Sequence, residues 1–105
     1  MSVEIRFVDE AIAELDDAID WYEQQRSGLG LGFLATLDRT IGAVERWPRA
    51  APPIPQVAEN LEIRQARVGS FPYLVAYMIV DDIATVLAVA HERRRPQYWS
   101  GRTTS

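Results

Sequence analysis

The residues best suited to chemistry lie together near the end of the chain. The only histidine, His91, opens the run His91-Glu92-Arg93-Arg94-Arg95-Pro96-Gln97-Tyr98-Trp99. An imidazole titrates near neutrality and can move a proton. Three consecutive guanidinium groups offer planar forks that hold carboxylate or phosphate through paired hydrogen bonds. A tyrosine hydroxyl beside them is a second proton carrier. The run follows an apolar stretch with the pattern of a strand, and the end of a strand next to a loop is a common place for a site. Each group also has a structural reading. His91 can cap the strand end and bond a backbone group. Tyr98 and Trp99 can close the end of a sheet. The arginines can form a solvated turn or pair with acids elsewhere.

Other chemistries lack their parts. There is no cysteine, so disulfides and thiolate zinc sites are excluded. One histidine and acids spread along helix faces make no metal constellation, and no cofactor motif stands out; no cofactor is expected. Gly28, Gly30 and Gly32 alternate with Leu29 and Leu31. A phosphate cradle needs a strand directly before such glycines, and none precedes them, so they read as a tight connection between helices. The start, Met1-Ser2-Val3-Glu4, has no basic region followed by an apolar one, so no secretory signal is expected. The longest apolar run, Tyr73 to Val80, is far short of the roughly 20 residues that span a bilayer. A cytoplasmic protein without a membrane partner is expected.

The elements that must position the C-terminal run follow from periodicity. A length of 105 residues predicts one domain over 1–105. Val3 to Phe7 alternates as a strand with one buried face. Asp9 is a candidate N-cap and Glu10 suits the first turn. Ile12, Leu15, Ile19 and Tyr22 then recur at helical spacing, with Trp21 and Tyr22 expected to pack the hairpin. Glu14, Asp16, Asp17, Asp20 and Glu23 form the other face, either solvated or turned to a basic partner. Ser27-Gly28 stops this helix. Phe33, Leu34, Leu37, Ile41, Val44 and Trp47 stripe a second one, which Pro48 ends. The hairpin of helices therefore covers about residues 9–47. Four prolines between Pro48 and Pro55 predict an irregular crossing to a sheet. Three strands follow over about 61–90. Tyr73 to Val80 and Ile83 to Ala90 are nearly all apolar, as central strands covered on both faces are. Asp81-Asp82 between them is a hairpin signal. The order β-α-α-β-β-β predicts an α+β fold: a small, mainly antiparallel sheet packed against a helical hairpin, with a basic and aromatic tail over 91–105.

The net charge of −4 counts against nucleic acid as a partner, yet it is unevenly spread. Residues 1–47 hold four arginines against ten acids, a charge of −6; residues 48–105 hold seven against five, a charge of +2. All eleven basic residues are arginine.

The chain resembles the RelE/ParE toxins of bacterial type II toxin–antitoxin systems, and the ParE-like branch more closely. The likeness lies in Ala11 to Glu23 (Ala-x-x-Glu-Leu-x-x-Ala-x-x-Trp-Tyr-Glu), Gly28-Leu29-Gly30, Phe33-Leu34, Trp47-Pro48, Ile63-Arg64, Phe71-Pro72-Tyr73 with Tyr77, and His91, Arg94, Pro96, Tyr98 and Trp99. No one of these is specific; their order and spacing, from about residue 4 to 102, are. The resemblance implies a toxin bound and neutralised by a ParD-like, DNA-binding antitoxin whose C-terminal tail wraps it, in a plasmid-stabilisation or related role. RelE-like members cut messenger RNA on the ribosome. ParE-like members are associated with poisoning DNA gyrase and have no established catalytic residues.

For an RNA-cutting site the parts would be His91 and Tyr98 for proton transfer and Arg64, Arg67 and Arg94 for the phosphate. RelE-like sites tend to be rich in lysine, which this chain lacks, and its negative charge opposes steering to ribosomal RNA. A protein-binding gyrase poison is therefore favoured, with Arg64, Arg93, Arg94, Arg95, Tyr98 and Trp99 as candidate target contacts. Trp21, Leu31 and Trp47 are the candidate antitoxin anchors. A degenerate module that binds antitoxin without toxicity is the remaining alternative.

Overall fold

The structure is a computed structural model and describes residues 2–54 and 60–104. The chain forms β1 (Glu4–Phe7), α1 (Asp9–Gln25), α2 (Leu29–Arg46), β2 (Glu62–Arg67), β3 (Tyr73–Val80), β4 (Ile83–His91) and a 3-10 turn over Ser100–Thr104. One sheet has the order β1-β4-β3-β2. The β2–β3 and β3–β4 pairs are antiparallel, as expected, whereas β1 lies parallel to β4. The helical hairpin sits between β1 and the other strands in sequence, so β1 can re-enter the sheet beside the last strand in either direction.

The two apolar runs are the central strands, and each is buried on both faces. Toward the helices, Val75, Tyr77, Val86 and Val89 pack with Ala18, Phe33, Leu37 and Val44. On the back face, Ile63, Ala76, Leu87 and Ala88 pack with Trp99 from the C-terminal segment. A register shift opposite Ala76 and Tyr77 leaves Leu87 as an extra residue in β4. Leu87 and Ala88 therefore both face the back, and the residues after them change side, as a β-bulge dictates. His91, opposite Tyr73, is thereby turned to the helix side. The Asp81-Asp82 hairpin forms as expected, with Asp81 at φ 54°, a left-handed conformation that Asp tolerates better than most residues.

The hairpin of helices closes through its polar atoms. Glu23 accepts hydrogen bonds from the Gly28 amide at 2.9 Å and the Gly30 amide at 3.0 Å. A carboxylate there neutralises the positive end of α2, and the amides that a phosphate would need are already used. A Cβ on Gly30 would meet the Ile19 carbonyl oxygen at 2.6 Å, so glycine sets the closeness of the two helices. Tyr22 is buried among Phe33, Phe71 and Tyr73 with ring centroids 5.0–6.0 Å apart. Trp21, its neighbour, is exposed rather than packed inside the hairpin. Asp9 is not the N-cap: Val8 holds that position without a side-chain cap, because its amide still bonds the Val86 carbonyl of β4.

The proline-rich crossing folds back on β2. Ile54 donates to the Ile63 carbonyl at 2.8 Å, and Gln65 donates to that of Pro52 at 3.1 Å. Pro55 lies outside the described residues. The Tyr77 hydroxyl donates to the Pro48 carbonyl at 2.6 Å.

Two glycines of α2 should respond oppositely to alanine. Gly32 has open space where a Cβ would stand, so Gly32→Ala should stabilise the chain by about 0.5–1 kcal/mol through helix propensity. Gly30→Ala should destabilise it by about 1–3 kcal/mol, because the helices must part. Denaturant unfolding of the two variants measures both; equal effects would refute the close-packing account.

Candidate functional site

The C-terminal site begins with a strand that outruns its neighbour. β1 flanks β4 only along Ile83 to Val86. Beyond that point side chains take the place of a strand. The Val89 amide donates to Oε1 of Glu14 at 3.1 Å, and Nη1 of Arg102 donates to the Leu87 carbonyl at 3.0 Å. Glu14 is carried on α1 between Ala11 and Ala18, small residues that let the helix approach β4 closely. Its carboxylate also accepts from the Tyr98 hydroxyl at 2.5 Å and from Arg102 at 3.0 Å. The Glu14 and Arg102 side chains are only 16% and 18% exposed, so the pair is shielded from solvent screening.

Tyr98 lies between two cations. The Arg94 guanidinium stands 4.0 Å from its ring centroid and that of Arg102 5.2 Å, within cation–π range. Burial, followed by the bond to Glu14, pushes the Tyr98 hydroxyl up to about 12. It keeps its proton at neutral pH and is committed as a donor. Burial works against the Arg102 charge, but the Glu14 carboxylate outweighs it and raises the group above its usual value.

His91 is also committed. Its Nδ1 accepts the Arg93 amide at 3.1 Å, its carbonyl accepts the Arg94 amide at 3.0 Å, and its ring meets Tyr73 edge-on at 5.2 Å. This is the strand-end cap among the expected alternatives. His91 and Arg94 stand between two hollows. One, of about 240 Å³, opens toward Asp17 and Trp21 of α1; the other, of about 200 Å³, opens on the back face beside Gln65 and Gln97.

The remaining candidates are not all here. Arg64 sits opposite Tyr77, and His91 opposite Tyr73, which separates them by about 13 Å along the sheet at ~3.3 Å per residue. Arg64 bonds Glu62 at 3.0 Å and the Ala51 carbonyl at 2.7 Å, clamping the crossing segment onto β2. The Arg49 hydrogen bond, with Arg64 assisting, holds the Glu62 carboxyl below the usual range. Arg67 is exposed and pairs with Glu92 at 3.3 Å. Arg93, Arg94 and Arg95 are exposed on the turn. Trp99 is 3% exposed in the back-face core, so it supports the site from beneath and is not a surface contact. Trp21, Leu31 and Trp47 are 54%, 69% and 61% exposed.

Glu14 and Arg102 were not among the candidates. The signal for Glu14 was its place in Ala11-x-x-Glu14-x-x-x-Ala18, a spacing that puts it on the small-residue seam rather than the solvated face. Arg102, beyond the aromatic run, carried no signal.

A hairpin of helices on a four-stranded sheet, closed by a cationic C-terminal turn, defines a small α+β domain. Among solved structures, the chain is similar to one described as the chromosomal ParDE TA system from P. aeruginosa, with TM-score 0.71 and 12% identity, covering 86% of this chain and 96% of that one. The family model of the ParE toxin of the type II toxin–antitoxin system, parDE, matches residues 5–96, and the chain belongs to that family. No curated protein matches it.

Because the fold binds the Tyr98 proton more tightly than the unfolded chain does, from 10.0 up to about 12, the stabilisation this gives is complete below pH 10. It is lost as pH rises toward about 12. The stability of the parent chain over Tyr98→Phe should therefore shrink across that interval in denaturant titrations. A gap that stays constant would contradict the assignment.

Proposed function

We propose that this chain is the toxin of a toxin–antitoxin pair in the bacterial cytoplasm, and that it arrests growth by binding DNA gyrase rather than by cutting messenger RNA. The observation that carries this choice is the commitment of the cleavage parts. His91 holds the turn, the Tyr98 hydroxyl keeps its proton in a hydrogen bond to Glu14, and Arg64 is tied to the crossing segment about 13 Å away along the sheet. A general base needs a free lone pair within reach of the proton it removes. The exposed arginine turn suits a protein surface rich in carboxylates.

Neutralisation falls to an antitoxin tail. Trp47 lines a mainly apolar groove of about 360 Å³ between α2 and β2, with Arg39 and Arg67 at its rim. An amphipathic tail segment with acidic flanks matches it. Addition of a strand to β2 is hindered because Pro52 and Ile54 already bond its outer edge; β1 pairs on one side only. No helix among the described residues is long and apolar enough to cross a membrane.

Controlled expression without antitoxin, with labelling of DNA, RNA and protein synthesis, tests the target. DNA synthesis should stop first. Early arrest of protein synthesis with cleaved messenger RNA would replace this target by the ribosome, and unimpaired growth would leave an antitoxin-binding module. Arg94→Glu should abolish growth arrest in a folded chain. Trp47→Ala should weaken antitoxin binding by about 2 kcal/mol or more, as loss of a central aromatic does; unchanged affinity by calorimetry would discard the groove.

A further inference from the structure

The exposed arginines of the turn are long side chains with much rotamer freedom, and holding one still before binding raises affinity. Among them Arg94 is held. Its guanidinium lies 4.0 Å from the Tyr98 ring centroid. That ring belongs to an irregular segment and packs against the back-face core, and its outer end is tied by its hydroxyl bond to Glu14 on α1, with the Arg102 guanidinium on the same carboxylate. Arg102 is in turn anchored on the Leu87 carbonyl, and Glu14 on the Val89 amide. A continuous set of contacts thus runs from the rigid helix and the central strand to the cationic turn.

We infer that Glu14 and Arg102 are positioning residues of the target-binding turn: they hold Tyr98, and through its ring they hold the Arg94 guanidinium, in the orientation that meets the target. This rests on the proposed role of the arginine turn. It gives a role to an acid on a helix where Asp16, Asp17 and Asp20 face solvent, and to an arginine outside the run His91–Trp99.

Growth arrest in a double-mutant cycle tests it, with three side chains replaced conservatively. Glu14→Gln keeps an acceptor for the Val89 amide but loses the charge. Tyr98→Phe keeps the ring but loses its tether. Arg102→Lys keeps the charge but not the fork. Each should raise the inducer dose for half-maximal arrest by about three- to tenfold. Combined with Arg94→Ala, each should add nothing, because its effect passes through Arg94. In the purified chain, the Arg94 side-chain proton resonances, shifted by the Tyr98 ring, should move toward their free positions in Glu14→Gln and Tyr98→Phe.

Folded Glu14→Gln and Tyr98→Phe variants with unchanged Arg94 resonances would overturn the inference. So would effects that multiply with that of Arg94→Ala. If Glu14→Gln fails to fold, Tyr98→Phe and Arg102→Lys carry the same comparison. Should Arg94→Ala itself leave arrest intact, the role of the turn fails, while the resonances still decide whether Glu14 orders Arg94.

Discussion

The carboxylate of Glu14 answers a constraint set by the length of one strand. β1 covers β4 only as far as Val86, yet β4 continues to His91 beneath α1. A buried amide left without a partner there would cost about 1–3 kcal/mol. Alanines at the helix seam cannot supply an acceptor, so the seam carries one acid. A carboxylate in so shielded a place needs neutralising in its turn. Arg102 and the Tyr98 hydroxyl do this, and they come from beyond the end of the sheet. The return of the C-terminal segment to α1 is thus a consequence of a short β1. That return also lays Trp99 on the back face, which makes the two-sided burial of β3 and β4 possible.

The bulge at Leu87 decides what the site presents. Side chains alternate along a strand, so without the extra residue His91 would follow Leu87 to the back face. With it, His91 joins Tyr73 and the helix side, and the turn after it stands between the two hollows. Its Nδ1 and its carbonyl, which accept the Arg93 and Arg94 amides, then shape the turn that displays the arginines. The histidine acts through geometry, and the cations at the surface are its product.

Much of the fold was legible because it rests on periodicity. The helical stripes ending at Ser27-Gly28 and at Pro48, and the apolar runs of β3 and β4, follow from which faces must be buried, and they appear where the pattern put them. The parallel pairing of β1 was not legible, since a four-residue strand with one polar face carries no sign of its direction. The site was legible only in part. The sequence places His91, Arg94 and Tyr98 close together, and proximity along the chain survives folding. The separation of Arg64 from the turn was not legible, because its partners, Glu62 and the Ala51 carbonyl, depend on how the proline-rich crossing returns. Glu14 was hidden by its neighbours: in a run of acids, one buried acid looks like the rest until its spacing from Ala11 and Ala18 is weighed.

Charge ties these features together. The N-terminal half of the sequence is acidic and the C-terminal half basic, and the fold joins them at one shielded contact, Glu14 with Arg102. The other ion pairs among the described residues form within one half, as Arg64 with Glu62 and Arg67 with Glu92 do, while Asp16, Asp17 and Asp20 stay exposed on α1 and Arg93 to Arg95 on the turn. A net charge of −4 gives no long-range pull toward nucleic acid. Over a Debye length of roughly 8 Å, however, the turn is felt as a local cation and the helix as a local anion. Such a surface discriminates by pattern rather than by total charge. It favours a partner with its own patch of carboxylates and repels a uniformly charged polymer at the acidic helix. Segregated charge on an acidic chain is therefore a reason to propose a protein target before a nucleic acid.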